Sequence, residues 1–390
     1  MLVEVSSDVS LMIFVGGSHA SPVEEMVTGA QYAIAVDTIE KAVTTGSFKE
    51  IILITDSREL ASRCSVLPVS AEIDGGPFHF GRRMREVIAR YRIKKPFYIG
   101  GGSASLLSTE ELSSIAESIR TAENSFIANN IFSADFLAFT PGEVIERIEL
   151  PSFDNNLAWL LKEQAGLTDI PLNRTVGTQL DVDTPTDLMV LQLHPLVGRN
   201  VKEYLEGLNL DVSRLRRSMK LLTDPMAEVI VAGRVGSYVW AHLETDVACR
   251  LRVFSEERGM RASGREERGQ VRSLLGYYLG LVGPKRFFKS LAQLGQAALI
   301  DSRVIFHHLH LNLSAPDRFY SDLFQPEKVT NPVVRAFTEA AREATIPVVL
   351  GGHTLVAGGL WALIDAAWLE KDKERTGGPT RWESRATATA

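Results

Sequence analysis

The chain has only two cysteines in 390 residues, Cys64 and Cys249, and neither stands in a CxxC or Cys/His spacing. A disulfide framework and a zinc site are therefore not expected, and a reducing cytoplasm fits best. Long apolar runs are also missing. Residues 11–15 are too few to span a bilayer and follow no basic leader, while residues 346–368 are interrupted by Gly351, Gly352, His353, Gly358 and Gly359. Neither a signal peptide nor a membrane helix is expected. Positive charge is not in excess: 42 Lys and Arg stand against 48 Asp and Glu, a net charge of −6, so nothing calls for nucleic acid as a partner. No lysine occurs before Lys41.

What remains is a soluble composition, 45% hydrophobic and 23% charged, on a chain long enough for two domains. The expected fold class is α/β, a mostly parallel sheet sandwiched by helices over residues 1–198. A mainly α-helical, arginine-rich domain over 199–370 and a disordered tail over 371–390 would follow. The run LMIFVGG (11–17) reads as a buried strand entering a loop that comes close to something, and residues 32–46 as a helix with a glycine stop. EIILITD (50–56) is a second all-apolar strand. Residues 97–99 form a third, before Gly100, Gly101 and Gly102 and a capping box of Ser108 with Glu111. Residues 126–139 read as a strand pair and 157–165 as a helix. Strands apolar on both faces argue a parallel sheet covered on both sides.

Two stretches bear on chemistry. Arg82, Arg83 and Arg85 crowd the first turn of a helix over 82–91, where they oppose its dipole unless an anion sits there; a solvated basic face is the alternative. In LDVDTPTDL (180–188), Leu180 opens the last strand of the domain and faces a core with Val182, while Asp181 and Asp183 point the other way. Thr184 is the N-cap, Pro185 the first helical residue and Asp187 the N3 acid of the following helix. Asp181 and Asp183 are either part of a capped junction or ligands to a divalent cation on a bound nucleotide.

The order of these pieces, from the glycine loop through the strand ending in Thr55-Asp56 and the turn before LLSTEEL (106–112) to LDVDTPTDL, resembles the GT-A-like nucleotidyltransferases. This class includes molybdenum cofactor guanylyltransferase and the sugar or polyol cytidylyltransferases. The resemblance covers the first half of the chain. It implies a nucleotide bound by Gly16, Gly17, Ser18 and His19 and by Gly101, Gly102 and Ser103, with Mg²⁺ on Asp181 and Asp183. Two departures stand out. The glycine loop carries no Arg or Lys, with His19 its one possible cation, and the Asp that the class commonly places before Leu106-Leu107 is absent.

In the second half, Arg250, Arg252, Arg258, Arg261, Arg265, Arg268 and Arg272 crowd residues 248–273. They suit bidentate phosphate recognition, or else pair with Glu256, Glu257, Glu266 and Glu267. His307, His308 and His310 lack acidic or thiol companions nearby, which argues against a metal there. The expected activity is transfer of a nucleotidyl group from a nucleoside triphosphate to a small phosphorylated acceptor with release of pyrophosphate. Asp183 and Arg258 would be catalytic, and Arg82, Arg261, Arg265 and Arg268 would hold the acceptor phosphate. The alternatives are a catalytically degenerate binding or assembly protein on the same fold and, last, glycosyl transfer through Asp181-Val-Asp183. Expected partners are the nucleotide and the phosphorylated metabolite, with neither nucleic acid nor membrane, and self-assembly into a homo-oligomer is also allowed.

Overall fold

In a computed structural model, which describes residues 7–261 and 263–374, the apolar run near the N-terminus becomes β1 (Val9–Val15), buried along its whole length. Its side chains divide by parity. Leu11 and Ile13 enter one core with Ala35, Ile39, Ile115 and Ile119, while Met12 and Phe14 enter another with Met84, Val87, Ile88 and Leu157. A strand with period two and both faces covered has to be apolar throughout, and each such side chain contributes about 1.5–3 kcal/mol by leaving water. The helices Pro22–Thr45 and Thr109–Thr121 supply one cover, Phe80–Tyr91 and Leu157–Glu163 the other.

The sheet continues through β2 (Glu50–Thr55), β3 (Ser70–Ile73), β4 (Lys95–Gly100), β5 (Ser125–Ala128), β6 (Phe136–Thr140) and β7 (Thr168–Asp169). Among the described residues the strand order is β3-β2-β1-β4-β6-β5-β7, and β6 alone runs antiparallel to its neighbours. This is the mostly parallel, helix-covered sheet that the sequence implies. The strand pair expected within 126–139 is β5 and β6, and the Ser108–Glu111 capping box is formed in both directions, at 3.1 and 2.8 Å.

One element differs from expectation. Leu180 does not open a strand. It caps the short helix Val176–Gln179, where Thr175 and Thr178 bond each other's backbone, so only Asp181 is left to pair, in a single antiparallel bridge with Ser103. The in-and-out alternation still holds, with Leu180 and Val182 buried and Asp183 exposed.

The chain forms two compact units whose boundary does not fall at a single point. The first takes the chain up to Ala20, Thr28–Asp181 and Gly198–Tyr204; the second takes Ser21–Val27, Val182–Val197 and everything from Leu205 on. The break expected at 198/199 is thus replaced by an exchange of segments. The helix Arg199–Glu206 starts within the first unit because its first amides are bonded to Asp37.

The second unit is rich in helix, as expected, but its helices cover a sheet of β8 (Glu228–Gly233), β9 (Arg250–Ser255), β10 (Ala297–Asp301) and β11 (Val348–Gly351). All are parallel, in the order β11-β10-β8-β9. Runs of four to six apolar residues cannot be told from buried helix by periodicity, which is why the sheet was not legible. The arginine-rich stretch begins as the edge strand β9, whose Arg250 and Arg252 project outward and reach Glu228 at 3.6 Å each. Of the tail expected at 371–390, residues 371–374 continue the helix Gly358–Glu374, and the rest lies outside the described residues. Among the described residues no helix is long and apolar enough to cross a membrane.

His194 follows the helix Pro185–Leu193 and is 6% exposed. Its Nδ1 accepts the Leu196 amide at 3.3 Å, its Nε2 is buried without a hydrogen-bond partner among the described residues, and burial pushes the imidazole down to about 4. With a folded pKa below the unfolded value, the unfolded chain takes up the proton first. The stabilisation is complete above about pH 6.5 and is lost as pH falls toward 4, by about 3 kcal/mol. His194→Asn, which keeps an acceptor for Leu196, is expected to flatten the fall in thermal midpoint over this window; an unchanged slope would exclude His194 as its origin.

Candidate functional site

In open α/β sheets the carboxyl ends of the strands, where loops meet helix N-termini, are the customary place for a ligand. In the first unit this edge carries the residues after β1, β2 and β4. Gly17 has to be glycine, because a Cβ there would lie 2.1 Å from Thr28 Cγ2. Thr28 Oγ1 accepts the Ser18 amide and donates to the Ser18 carbonyl, both at 3.1 Å, so the loop closes on its own helix and this amide is not directed at a phosphate. Gly16 faces the Asp56 carboxylate, and His19 Nε2 meets the Tyr32 hydroxyl at 3.5 Å, which also reaches Asp56 at 3.5 Å. The charge beside this loop is negative.

Lys41 does not correct that balance. Its Nζ donates to the carbonyls of Leu107 at 2.8 Å and Ser105 at 3.3 Å, and burial lowers its pKa. It acts as a strut for the turn that follows β4.

At that turn Gly101 and Gly102 lead into buried Ser103, whose hydroxyl lies 3.1 Å from both the Asp135 carbonyl and Asp181 Oδ1. Ser103 and Asp181 are therefore brought together although they stand 78 positions apart in the chain. Sequence reading missed the company they keep. Asn129 fixes Asp135 by accepting its amide at 3.0 Å and donating to Oδ2 at 2.8 Å, and Asp154 accepts the buried Tyr98 hydroxyl at 2.7 Å. Burial, then Asp154, Asp135 and Asp181, hold the Tyr98 phenol well above its ordinary pKa. Three carboxylates thus act on one phenol. The local sign was the set of polar residues Asn129, Asn130, Ser133 and Asp135 within an otherwise apolar stretch.

Asp183 falls in the second unit, so the expected metal pair with Asp181 is divided between the units. Its amide donates to Asp187 Oδ2 at 3.1 Å, an atom that also accepts the Thr184 amide at 2.8 Å and hydroxyl at 2.9 Å. The Thr-Pro-Thr-Asp segment is a helix start, as read. No cluster of three or more metal-ligating His, Cys, Asp or Glu side chains occurs among the described residues. Asp181 nevertheless fits Mg²⁺ as it is usually held beside a nucleotide, by one or two carboxylates with phosphate oxygens and water completing the octahedron.

The expected phosphate-binding arginines have other roles in part. His79 Nδ1 accepts the Arg82 amide at 3.4 Å and so occupies the helix start where an anion was considered. Arg83 binds Glu72 at 2.8 Å and Asp74 at 2.7 Å, Arg85 reaches Glu146 at 3.8 Å, and the Arg82 side chain is exposed. In the second unit, Arg265 pairs with Glu257 at 2.7 Å, and Arg268 bonds Gln270 Oε1 and the Ser263 carbonyl. These two tie a loop together, as they must where turns leave carbonyls without strand partners. Arg258 lies over the Tyr238 ring at 5.4 Å, and Arg261 is exposed. His307 pairs with Glu266 at 3.2 Å, and His308 accepts the Ser273 amide.

No protein-family model and no curated protein matches this chain. Solved structures do. A cytidylyltransferase from Leptospira borgpetersenii serovar Hardjo-bovis is 13% identical, with a TM-score of 0.38 over 51% of this chain and 93% of that one. A CMP:2-keto-3-deoxy-manno-octonic acid synthetase complexed with CTP is 13% identical, with a TM-score of 0.33 over 47% and 96%. A protein described as a nucleotide-diphospho-sugar transferase, from Desulfovibrio desulfuricans G20, is 13% identical, with a TM-score of 0.35 over 47% and 86%. Each likeness is distant and covers about half of this chain.

Proposed function

We propose that this chain is a cytoplasmic nucleotidyltransferase-type enzyme that binds a nucleoside triphosphate at the carboxyl edge of the seven-stranded sheet. The observation that carries the reading is the Ser103 bridge, which sets the Asp181 carboxylate against the turn after β4. Mg²⁺ arriving with the nucleotide would be held by Asp181 together with the nucleotide's own phosphate oxygens and would neutralise the phosphate charge. An oxygen of the phosphorylated acceptor attacks the α-phosphorus; the bond from that phosphorus to the bridging oxygen breaks, and pyrophosphate leaves with the electron pair. The protein contributes positioning and charge neutralisation.

A second reading is binding without transfer. It is favoured by the engagement of Lys41 with two carbonyls and of the Ser18 amide with Thr28, which turns these two groups away from a developing oxyanion. Calorimetry with each of the four Mg²⁺·nucleoside triphosphates, beside an assay of pyrophosphate release with phosphorylated acceptors, separates the two. Transfer predicts both signals, and binding without transfer predicts the first alone. Asp181→Ala is expected to abolish cation-dependent nucleotide binding; unchanged binding would remove this carboxylate from the site.

A further inference from the structure

The four-stranded sheet of the second unit has a carboxyl edge of its own. From β8 the chain moves to β9 on one side and then crosses back to β10 on the other, so the order reverses between β8 and β10. Strands flanking such a reversal leave a crevice at their carboxyl ends, because their connections depart to opposite sides. Arg234 follows β8 directly, and Asp301 ends β10. They close the floor of that crevice as a fork, with Arg234 Nε 2.6 Å from Oδ2 and Nη2 3.1 Å from Oδ1. The backbone approaches so closely that Gly233, at φ +128°, could not carry a Cβ, which would sit 2.3 Å from Asp301 Cβ.

Around this floor the charges do not balance. Asp301 engages Arg234, Asp322 engages Arg303, and Glu266 engages His307. Arg258, Arg261 and Arg318 have no carboxylate within ion-pair distance among the described residues. Arg318 is half-buried, and its one side-chain hydrogen bond among the described residues is a 3.4 Å contact from Nε to the Ser314 carbonyl. Burial, then Arg303, lower its pKa, and the pull of Asp322 and Glu266, which are engaged by Arg303 and His307, only partly offsets this. On the β9 side, a Cβ at Gly236 would lie 3.3 Å from Arg258 Cζ, which places this guanidinium over the first turn of the helix Ser237–Asp246. His353, just past β11, is hydrogen-bonded to the Arg234 backbone; burial, then Arg234, push it down to about 4, so it adds no cation. A half-buried guanidinium without an ion-pair partner, as at Arg318, is costly unless an anion joins it, and the exposed Arg258 and Arg261 add charge that an anion there would meet.

We propose that the crevice between β8 and β10 binds a small phosphate monoester, gripped by Arg318 and Arg258 with Arg261 at the rim, above the fixed Arg234–Asp301 fork. Arg234 and Arg303 hold the site's shape, because their charges are already met. The proposal does not rest on nucleotide binding by the first unit.

Titrating the full-length chain with inorganic phosphate at constant ionic strength tests it by calorimetry. Saturable binding is expected, weakened about tenfold or more by Arg318→Gln and likewise by Arg258→Gln, as for loss of one charged hydrogen-bonding group. Arg318→Lys, which keeps the charge but loses the fork, should fall between. Arg258 is exposed, so its variant decides the matter even if Arg318→Gln folds poorly. Absence of saturable binding at millimolar phosphate, or binding unchanged in both glutamine variants, would overturn the proposal.

Discussion

Asp322→Ala is expected to cost the second unit on the order of 3–5 kcal/mol, the usual penalty for removing one partner of a buried ion pair. Asp322 is 0% exposed and Arg303 5%, and their contact is bidentate, at 2.6 Å from Nη1 to Oδ1 and 2.5 Å from Nη2 to Oδ2. Nη1 also donates to Ser302 Oγ at 3.0 Å. Burial opposes the charge on Arg303, and Asp322 more than offsets it, so the guanidinium pKa is raised. Burial lifts the Asp322 carboxyl against the pull of Arg303, but two short bonds to an always-charged fork are those of the ionised pair. Without Asp322 the guanidinium stays in the core, charged and half satisfied. The double substitution Arg303→Met/Asp322→Leu removes both charges and should recover much of the loss. Urea unfolding of the single and double variants gives the comparison, followed as two transitions if the units melt separately. A loss below about 1 kcal/mol for Asp322→Ala would show that the pair is better solvated than its burial indicates.

Asp37→Ala is expected to destabilise the first unit by about 3 kcal/mol. Asp37 lies on the helix Pro22–Thr45, 4% exposed. Its Oδ1 accepts the Asn200 amide at 3.0 Å and side chain at 2.8 Å, and its Oδ2 accepts the Val201 amide at 3.0 Å. These amides open the helix Arg199–Glu206, so a carboxylate 163 residues earlier serves as its cap. Asn200 is held further by Glu40 at 3.1 Å and Arg63 at 2.6 Å. Alanine leaves buried donors unmet, whereas Asp37→Asn keeps one acceptor and should cost less. Hydrogen exchange at Asn200 and Val201 should accelerate in the alanine variant. If those amides stay as protected as before, Asp37 does not hold the segment.

What could be read from the sequence was local. β1 and β2 declared themselves by unbroken apolar runs, and Ser108 with Glu111 and Thr184 with Asp187 marked helix starts because a cap acts within four residues. β3 did not, since its residues are mostly exposed and carry no apolar signal. The strands of the second sheet did not either, because a four-residue run such as β11 has the same composition as buried helix. At the candidate site, the glycine loop and its want of basic residues were legible, and so was the acidic pair 181/183. The carboxylates that act with Asp181 on the Tyr98 phenol were not: Asp135 and Asp154 come to it through folding, and Tyr98 does not signal its partners in the sequence.

The sequence by itself determined where elements start, which faces are apolar and which charges are missing from the first loop, since these depend on neighbours within a few residues. The tertiary structure decided which charges meet. Lys41 became a strut instead of a phosphate ligand because two carbonyls 64 and 66 residues away converge on it. Arg234 found Asp301 across 67 positions, while Arg258 and Arg318 form no ion pair among the described residues. Local periodicity cannot encode such pairings, because a side chain's role rests on what desolvates it and what it faces, and the packing of whole layers sets both.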